Sequence, residues 1–117
     1  MSENEAAAKR RVRVALIGLG SAGRSHLSVL ATMPEVDLAG IADINPEAVA
    51  ALGTKYGVRN ATTDHRRLLA DPSIDVVSIV AADAAHYPLV MDCAAAGKHV
   101  ICEKPIATEI EHGRRMV

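Results

Sequence analysis

A glycine-rich run, GLGSAG beginning at Gly18, constrains the fold of this chain more than any other feature of its sequence. The run follows an apolar, β-branched stretch and opens a stretch with helical spacing of its leucines. A strand, a GxGxxG turn and a helix in this order predict a site for the pyrophosphate of a dinucleotide. Gly18 permits the tight turn, Gly20 lets a phosphate approach the backbone, and Gly23 lets the helix pack closely on the sheet. The free N–H groups of the first helical turn, at Ser21 and Ala22, then face the anion.

A carboxylate follows at the spacing that such a site needs, because Asp43 ends the second predicted strand about 20 residues beyond the glycine run. It can accept hydrogen bonds from the adenosine ribose hydroxyls, and it would repel a 2′-phosphate. NAD(H) is therefore favoured over NADP(H), and Ile44 and Asn45 supply no arginine for that phosphate. One alternative is an ordinary glycine turn with Asp43 as the cap of the next helix. Another is a site for S-adenosylmethionine, which the position of Gly23 disfavours.

Strand and helix patterns alternate along the chain. Strands are predicted at 12–17, 36–42, 58–61, 75–80 and 99–102, and helices at 22–33, 46–56, 63–70 and 84–96. This order is typical of βαβ units with right-handed crossovers. We therefore predict an α/β fold with a doubly wound parallel sheet of five strands. An α+β fold built from the same elements is the alternative.

The chain has the length of one domain, with 117 residues. We predict a disordered tail over 1–11 and a folded domain over 12–117. The polar N-terminus lacks the apolar segment of a secretory signal, and no apolar run is long enough to cross a membrane. Two cysteines without a CxxC pattern favour a reducing, cytoplasmic location.

Charge and aromatic content exclude other classes of partner. The net charge is −1 and aromatic residues make up 2% of the chain. No global field favours nucleic acid or an anionic membrane, and the stacking platforms of a single-strand binder are absent. We therefore expect neither a nucleic-acid nor a membrane partner.

Two further strand ends are expected to line the site, because ligands of open α/β sheets lie beyond the carboxyl ends of the strands. Ala81 and Ala82 follow the fourth strand, and their small side chains leave room for a ribose and a nicotinamide. Glu103 and Lys104 follow the fifth. A lysine there can polarise a carbonyl or move a proton to and from a hydroxyl. The alternative is a surface lysine paired with Glu103.

From Arg11 to its last residue the sequence resembles the Gfo/Idh/MocA family of NAD(P)-dependent oxidoreductases. The resemblance rests on VALIGLGSAGRSH, IADINPEA, IDVVSIVAADAAH and, most specifically, AAAGKHVICEKPIA. It implies that the glycine run binds pyrophosphate, that Asp43 binds ribose and that Lys104 lies near the nicotinamide and substrate. His86 matches a histidine of the family, whereas Ala81, Ala82 and Asp83 replace its usual Thr-Pro-Asn.

The resemblance also implies a second domain that this chain lacks, together with a sixth strand. In the family that domain supplies most substrate contacts, an acid–base pair and the oligomer interface. Thr108 and Glu111 suggest a capping box for a sixth helix. We therefore expect a fragment of an oxidoreductase acting on a sugar, inositol or polyol, which binds cofactor with little or no turnover. Uncovered apolar surface would give either self-association or modest stability.

Other interpretations stay open at this point. A stand-alone dinucleotide-binding sensor or interaction module would carry the same motifs without catalysis. A metal site would draw on irregularly spaced ligands, namely His86, Cys93, His99 and Cys102. His26, in the first helix, is either a phosphate contact or an ordinary exposed position.

Overall fold

The computed structural model describes residues 10–117. Its strands are β1 (Val12–Ile17), β2 (Val36–Ala42), β3 (Asn60–Thr62), β4 (Val76–Ile79) and β5 (His99–Cys102). Its helices are α1 (Ser21–Leu30), α2 (Pro46–Tyr56), α3 (Arg66–Leu69), α4 (His86–Ala95) and α5 (Ile110–Met116), with a 3-10 turn at Asp83–Ala85. The sheet order is β3-β2-β1-β4-β5, and every neighbouring pair is parallel. The predicted doubly wound sheet is confirmed.

Each face of the sheet carries its own apolar core. On one face Leu27 of α1 and Leu52 of α2 pack over strand residues such as Leu16. On the other face Leu89 of α4 packs over Ile17, together with residues of α3. Successive residues of β1 therefore point to opposite layers, and helices cover both sides. Strand order reverses between β1 and β4, which places the expected ligand crevice at the carboxyl ends of these two strands.

Several predicted boundaries shift by a few residues, and two of the shifts arise because backbone groups are used in turns. Helix α1 ends at Leu30 rather than at residue 33, since Thr32 and Met33 donate to the carbonyls three residues before them and Pro34 follows. Strand β3 begins at Asn60 rather than at residue 58. Val58 instead donates to Gly53 O and completes the C-terminal turn of α2 around Gly57, whose φ is 65°.

Helix α3 is shorter than the predicted helix over 63–70. Thr62 Oγ1 accepts from Asp64 N at 3.0 Å, and Asp64 Oδ1 accepts from Arg66 N at 3.1 Å. Side-chain turns of this kind compete with helical hydrogen bonds, so the helix begins only at Arg66.

The predicted capping box at Thr108 and Glu111 is wrong. Helix α5 begins at Ile110, its N-cap is Glu109, and no side chain caps it. Thr108 therefore lies one position too early, and Glu111 instead lies 3.7 Å from Arg114 on the same helix.

The predicted tail falls mostly outside the described residues. Within them, Arg11 donates from Nη2 to Val36 O at 2.9 Å and from Nε to Pro34 O at 3.3 Å. None of the helices formed by residues 10–117 has the length and apolar character needed to cross a membrane.

Candidate functional site

The glycine run forms the turn between β1 and α1, and each glycine has a distinct environment. Gly18 has a φ of 109°, and a Cβ there would lie 2.6 Å from the Val80 carbonyl group. A Cβ on Gly23 would lie 1.8 Å from Gly18 O, so the close approach predicted for Gly23 is to the turn itself. Gly20 differs, because a Cβ there would meet nothing within 4 Å. The backbone of Gly20 therefore faces open space.

The start of α1 offers donors to an anion. Gly20 is the N-cap of the helix and no side chain caps it. The first N–H groups of a helix have no acceptor within the helix, and they lie at the positive end of its dipole. Ser21 and Ala22 are exposed at this position, whereas Gly23 is buried.

Asp43 is anchored to the same turn. Its Oδ2 accepts from Leu19 N at 2.6 Å, and its Oδ1 accepts from Asn45 N at 2.8 Å. The alternative that Asp43 caps the next helix is wrong, since Asn45 is the N-cap of α2 and accepts from Glu47 N and Ala48 N. Each carboxylate oxygen of Asp43 keeps a second lone pair for another donor.

A cavity of about 520 Å³ joins several of the predicted residues at the carboxyl ends of the strands. Its lining includes Gly18, Gly20, Asp43, Ala81 and Ala82. This volume lies within the range of roughly 300–1,000 Å³ that is typical of ligand pockets. The other predicted residues, which do not line this cavity, are Ser21, Ala22, Gly23, His86, Glu103 and Lys104.

His86 is a buried residue that does not line this cavity. The side chain is fully buried at the start of α4, with Nδ1 2.7 Å from Pro105 O and Nε2 3.0 Å from Ala81 O. The ring therefore joins the loop after β4 to the loop after β5. These are the two loops that were expected to flank a nicotinamide.

Glu103 does not pair with Lys104. Instead Glu103 Oε1 lies 3.0 Å from His26 Nε2, and this contact links the end of β5 to α1. Lys104 is exposed, and among residues 10–117 its ammonium makes no ion pair. It precedes Pro105, and the peptide bond between them is cis.

The sequence patterns do not predict several residues that lie around the candidate site. His65 and Asp92 line the large cavity and lie 2.9 Å apart, and Ala85 and Leu89 add apolar lining. Arg24 lines a neighbouring pocket that also contains Asp43. No motif marks His65 or Asp92, because packing brings them together across 27 positions of sequence. Arg24 directly follows the glycine run, but the GxGxxG pattern gives it no role.

Both cysteine thiols have raised pKa values. Burial raises the pKa of the Cys93 thiol to about 11, and the nearby Asp92 charge adds to the shift. Burial and then Glu103 raise the pKa of Cys102. A thiol of raised pKa is a poor nucleophile and a poor metal ligand at neutral pH. In the described part of the chain, no three His, Cys, Asp or Glu side chains gather as metal ligands.

These features fit a dinucleotide. Open space over Gly20 suits a pyrophosphate, the uncapped start of α1 supplies donors, and Asp43 holds its carboxylate beside both. The apolar lining by Val80, Ala85 and Leu89 suits a flat ring.

Comparisons with known proteins agree with this geometry. The family described as "Oxidoreductase family, NAD-binding Rossmann fold" matches residues 12–117. Levoglucosan dehydrogenase of Pseudarthrobacter phenanthrenivorans is 36% identical over 92% of this chain and 30% of its own length. Myo-inositol 2-dehydrogenase of Thermotoga maritima is 34% identical over 91% of this chain and 32% of its own length.

A solved structure shows the same fold. Myo-inositol dehydrogenase from Lactobacillus casei, in complex with NAD(H) and myo-inositol, superposes with a TM-score of 0.84 at 31% identity. The match covers 91% of this chain and 32% of that one. The chain spans about a third of the length of the relatives that it matches. It belongs to the Gfo/Idh/MocA oxidoreductase family, of which it carries the NAD-binding Rossmann domain.

Proposed function

We propose that this chain binds NAD(H) across the glycine turn as the cofactor half of a dehydrogenase. The main support for this proposal is that the Gly20 backbone faces open space beside the carboxylate of Asp43, which is hydrogen-bonded to the turn. The N–H groups of Ser21 and Ala22 hold the pyrophosphate, and Asp43 accepts from the adenosine ribose hydroxyls. Ala81 and Ala82 leave room for the second ribose and the nicotinamide.

For the whole protein we propose hydride transfer at a hydroxyl of a sugar, inositol or polyol. The relatives named above act on levoglucosan and myo-inositol, as their names state. The bound nicotinamide supplies the hydride acceptor and donor. Lys104 is the catalytic residue that this chain would contribute, and its Nζ donates a hydrogen bond to the substrate oxygen as that oxygen changes charge. His86 joins the loop that carries Lys104 to the loop after β4, and Glu103 links the start of that loop to α1.

This chain alone should turn over little. Hydride transfer needs the substrate held in near-attack geometry against the nicotinamide. Residues 81–82 and 103–105 form one side of such a site, and the relatives have about three times the length. We also propose a cytoplasmic location, which accords with the two free cysteines.

A fluorescence titration with NADH and, in parallel, NADPH tests the binding step. We expect saturable binding with a preference for NADH, and no NADH formation from NAD and myo-inositol. A preference for NADPH would contradict the role of Asp43. Turnover at the rate of a complete dehydrogenase would contradict the need for further substrate contacts. Strong binding without activity in any longer version of the protein would favour the sensor alternative.

We further propose that copies of this chain associate along β5. This strand ends the sheet, and Ile101 on β5 is 60% exposed, while Ile110 on α5 is 79% exposed. An apolar edge strand is a template for pairing with another chain. Sedimentation over a range of concentrations should show association that Ile101→Lys weakens. A monomer at every concentration would contradict this proposal. The uncovered apolar surface would then be expected to lower the stability of the chain instead.

A further inference from the structure

The pocket beside Asp43 contains a cation that the proposed function does not use. This pocket of about 480 Å³ is lined by Gly20, Ser21, Arg24, Asp43 and Asn45, with Leu19 and Ala48. Arg24 projects from the first turns of α1, and its Nε donates to Leu19 O at 3.1 Å. That bond holds the guanidinium against the glycine turn.

The pocket holds two opposite charges that do not pair with each other. Among its lining residues, all of which the structure describes, Asp43 is the single acid and Arg24 the single base. Asp43 accepts short hydrogen bonds from Leu19 N and Asn45 N. Within residues 10–117 it makes no ion pair with Arg24. The terminal nitrogens of the guanidinium therefore remain available to an anion.

The donors in the pocket would suit a phosphate. A guanidinium binds phosphate through two parallel N–H groups, and a hydroxyl donor such as Ser21 can add a third contact. Asn45 uses its Oδ1 to cap α2, so its amide group is left as a donor. Only the carboxylate of Asp43 opposes a dianion here.

We propose that Arg24 is a specificity-determining residue and forms a latent site for the 2′-phosphate of adenosine. This inference rests on the proposed function, in which Asp43 accepts from the adenosine ribose. A group on the ribose 2′-oxygen would then enter the pocket between Asp43 and Arg24. The charge of Asp43 alone keeps NADP(H) out, and once that charge is removed Arg24 recruits it.

The test is a calorimetric titration with adenosine 5′-monophosphate and with adenosine 2′,5′-bisphosphate, alongside NADH and NADPH. The proteins are the wild type, Asp43→Asn, and Asp43→Asn combined with Arg24→Met. We expect Asp43→Asn to raise the affinity for the 2′,5′-bisphosphate relative to the monophosphate by about tenfold or more, the size of one charge-assisted contact. The Arg24→Met change should abolish that gain.

A matched control removes the same charge elsewhere. Arg115→Met on α5, an exposed arginine outside the pocket, should leave the gain of Asp43→Asn intact. The inference would be overturned if Asp43→Asn did not raise the relative affinity for the 2′,5′-bisphosphate, or if that increase persisted in the Arg24→Met background. In either case, NADH binding by the wild type would still support the proposed function. Absence of NADH binding in the wild type would instead overturn the proposed function and this inference with it.

A second variant covers the case in which Asp43→Asn does not fold, since Asp43 holds Leu19 N and Asn45 N. Arg24→Met in the wild-type background should weaken the residual binding of the 2′,5′-bisphosphate severalfold and leave the monophosphate unchanged. Equal weakening of both ligands would overturn the inference, because Arg24 would then act on the 5′-phosphate or on the turn. Circular dichroism of each variant checks the fold.

Discussion

At the scale of single residues, the glycines of the turn divide into structural and ligand-facing positions. Gly23 approaches Gly18 O so closely that any Cβ would collide with it, whereas Gly20 has open space in front of it. The GxGxxG pattern predicts different roles for these two glycines, and the structure adds that Gly23 packs against the turn itself. The pattern does not predict the hydrogen bond from Leu19 N to Asp43, because that contact depends on the register between β1 and β2.

Substituting these two glycines should therefore change different properties, namely NADH binding at Gly20 and stability at Gly23. Gly20→Ala should leave the free energy of unfolding within about 1 kcal/mol of the wild type, yet weaken NADH binding at least about tenfold, because its methyl occupies the phosphate position. Gly23→Ala should destabilise the fold itself by more than about 2 kcal/mol, because backbone must move. Urea denaturation and NADH titration measure the two effects.

The control for Gly20→Ala is Gly113→Ala on α5, where a Cβ also meets nothing within 4 Å. This variant should bind NADH as the wild type does. If Gly20→Ala bound NADH equally well, the phosphate would have to lie elsewhere.

The Cys93 thiol should be almost unreactive in the folded protein. Its pKa rises from 9.0 to about 11, chiefly through burial. At pH 8 this shift lowers the thiolate fraction roughly a hundredfold relative to an unfolded chain. The same raised pKa stabilises the folded state below pH 9.0, and that contribution is lost as the pH rises toward about 11. Alkylation followed by mass spectrometry, with and without urea, checks the protection, and equal rates in both conditions would contradict the burial of Cys93.

At the scale of helices and strands, side-chain hydrogen bonds to backbone carbonyls join the loops to one another, and no sequence motif predicts them. Lys98, in the turn before β5, donates from Nζ to Asp71 O at 2.6 Å and to Ile74 O at 2.9 Å. It therefore fastens the segment between α3 and β4 to the start of β5. His86 does the same for the loops after β4 and β5. In the sequence Lys98 reads as an ordinary surface lysine.

Replacing Lys98 by methionine should lower the free energy of unfolding by about 1.5–3 kcal/mol, because two partly buried carbonyl groups lose a charged donor. Lys55→Met is the matched control, since Lys55 is exposed on α2 and lies 5.4 Å from the centre of the Tyr56 ring. It should change stability by less than about 1 kcal/mol. Equal effects of the two substitutions in urea denaturation would mean that the Lys98 bonds add nothing.

At the scale of the whole molecule, the sequence is sufficient to predict the sheet, its five strands and the crevice at their carboxyl ends. Strand patterns with two buried faces and the GxGxxG turn leave few other topologies. Sequence patterns predict helix ends less well, because side chains such as Thr62 and Asp64 take backbone groups out of the helix. Arg24 directly follows the glycine run in sequence, but no pattern places its side chain in a pocket with Asp43. The His65–Asp92 pair emerges only from packing, because the two residues lie 27 positions apart.

An NMR titration of the isotopically labelled 12.3 kDa chain with NADH tests cofactor binding at the glycine turn residue by residue. We predict saturable shifts of the backbone amides of residues 18–23, of Asp43 and of Ala81 and Ala82. Shifts confined to the groove between α2 and β3, lined by Val49 and Ala61 among others, would contradict the proposed location of the cofactor. No saturable shift anywhere would contradict the claim that this chain binds NAD(H).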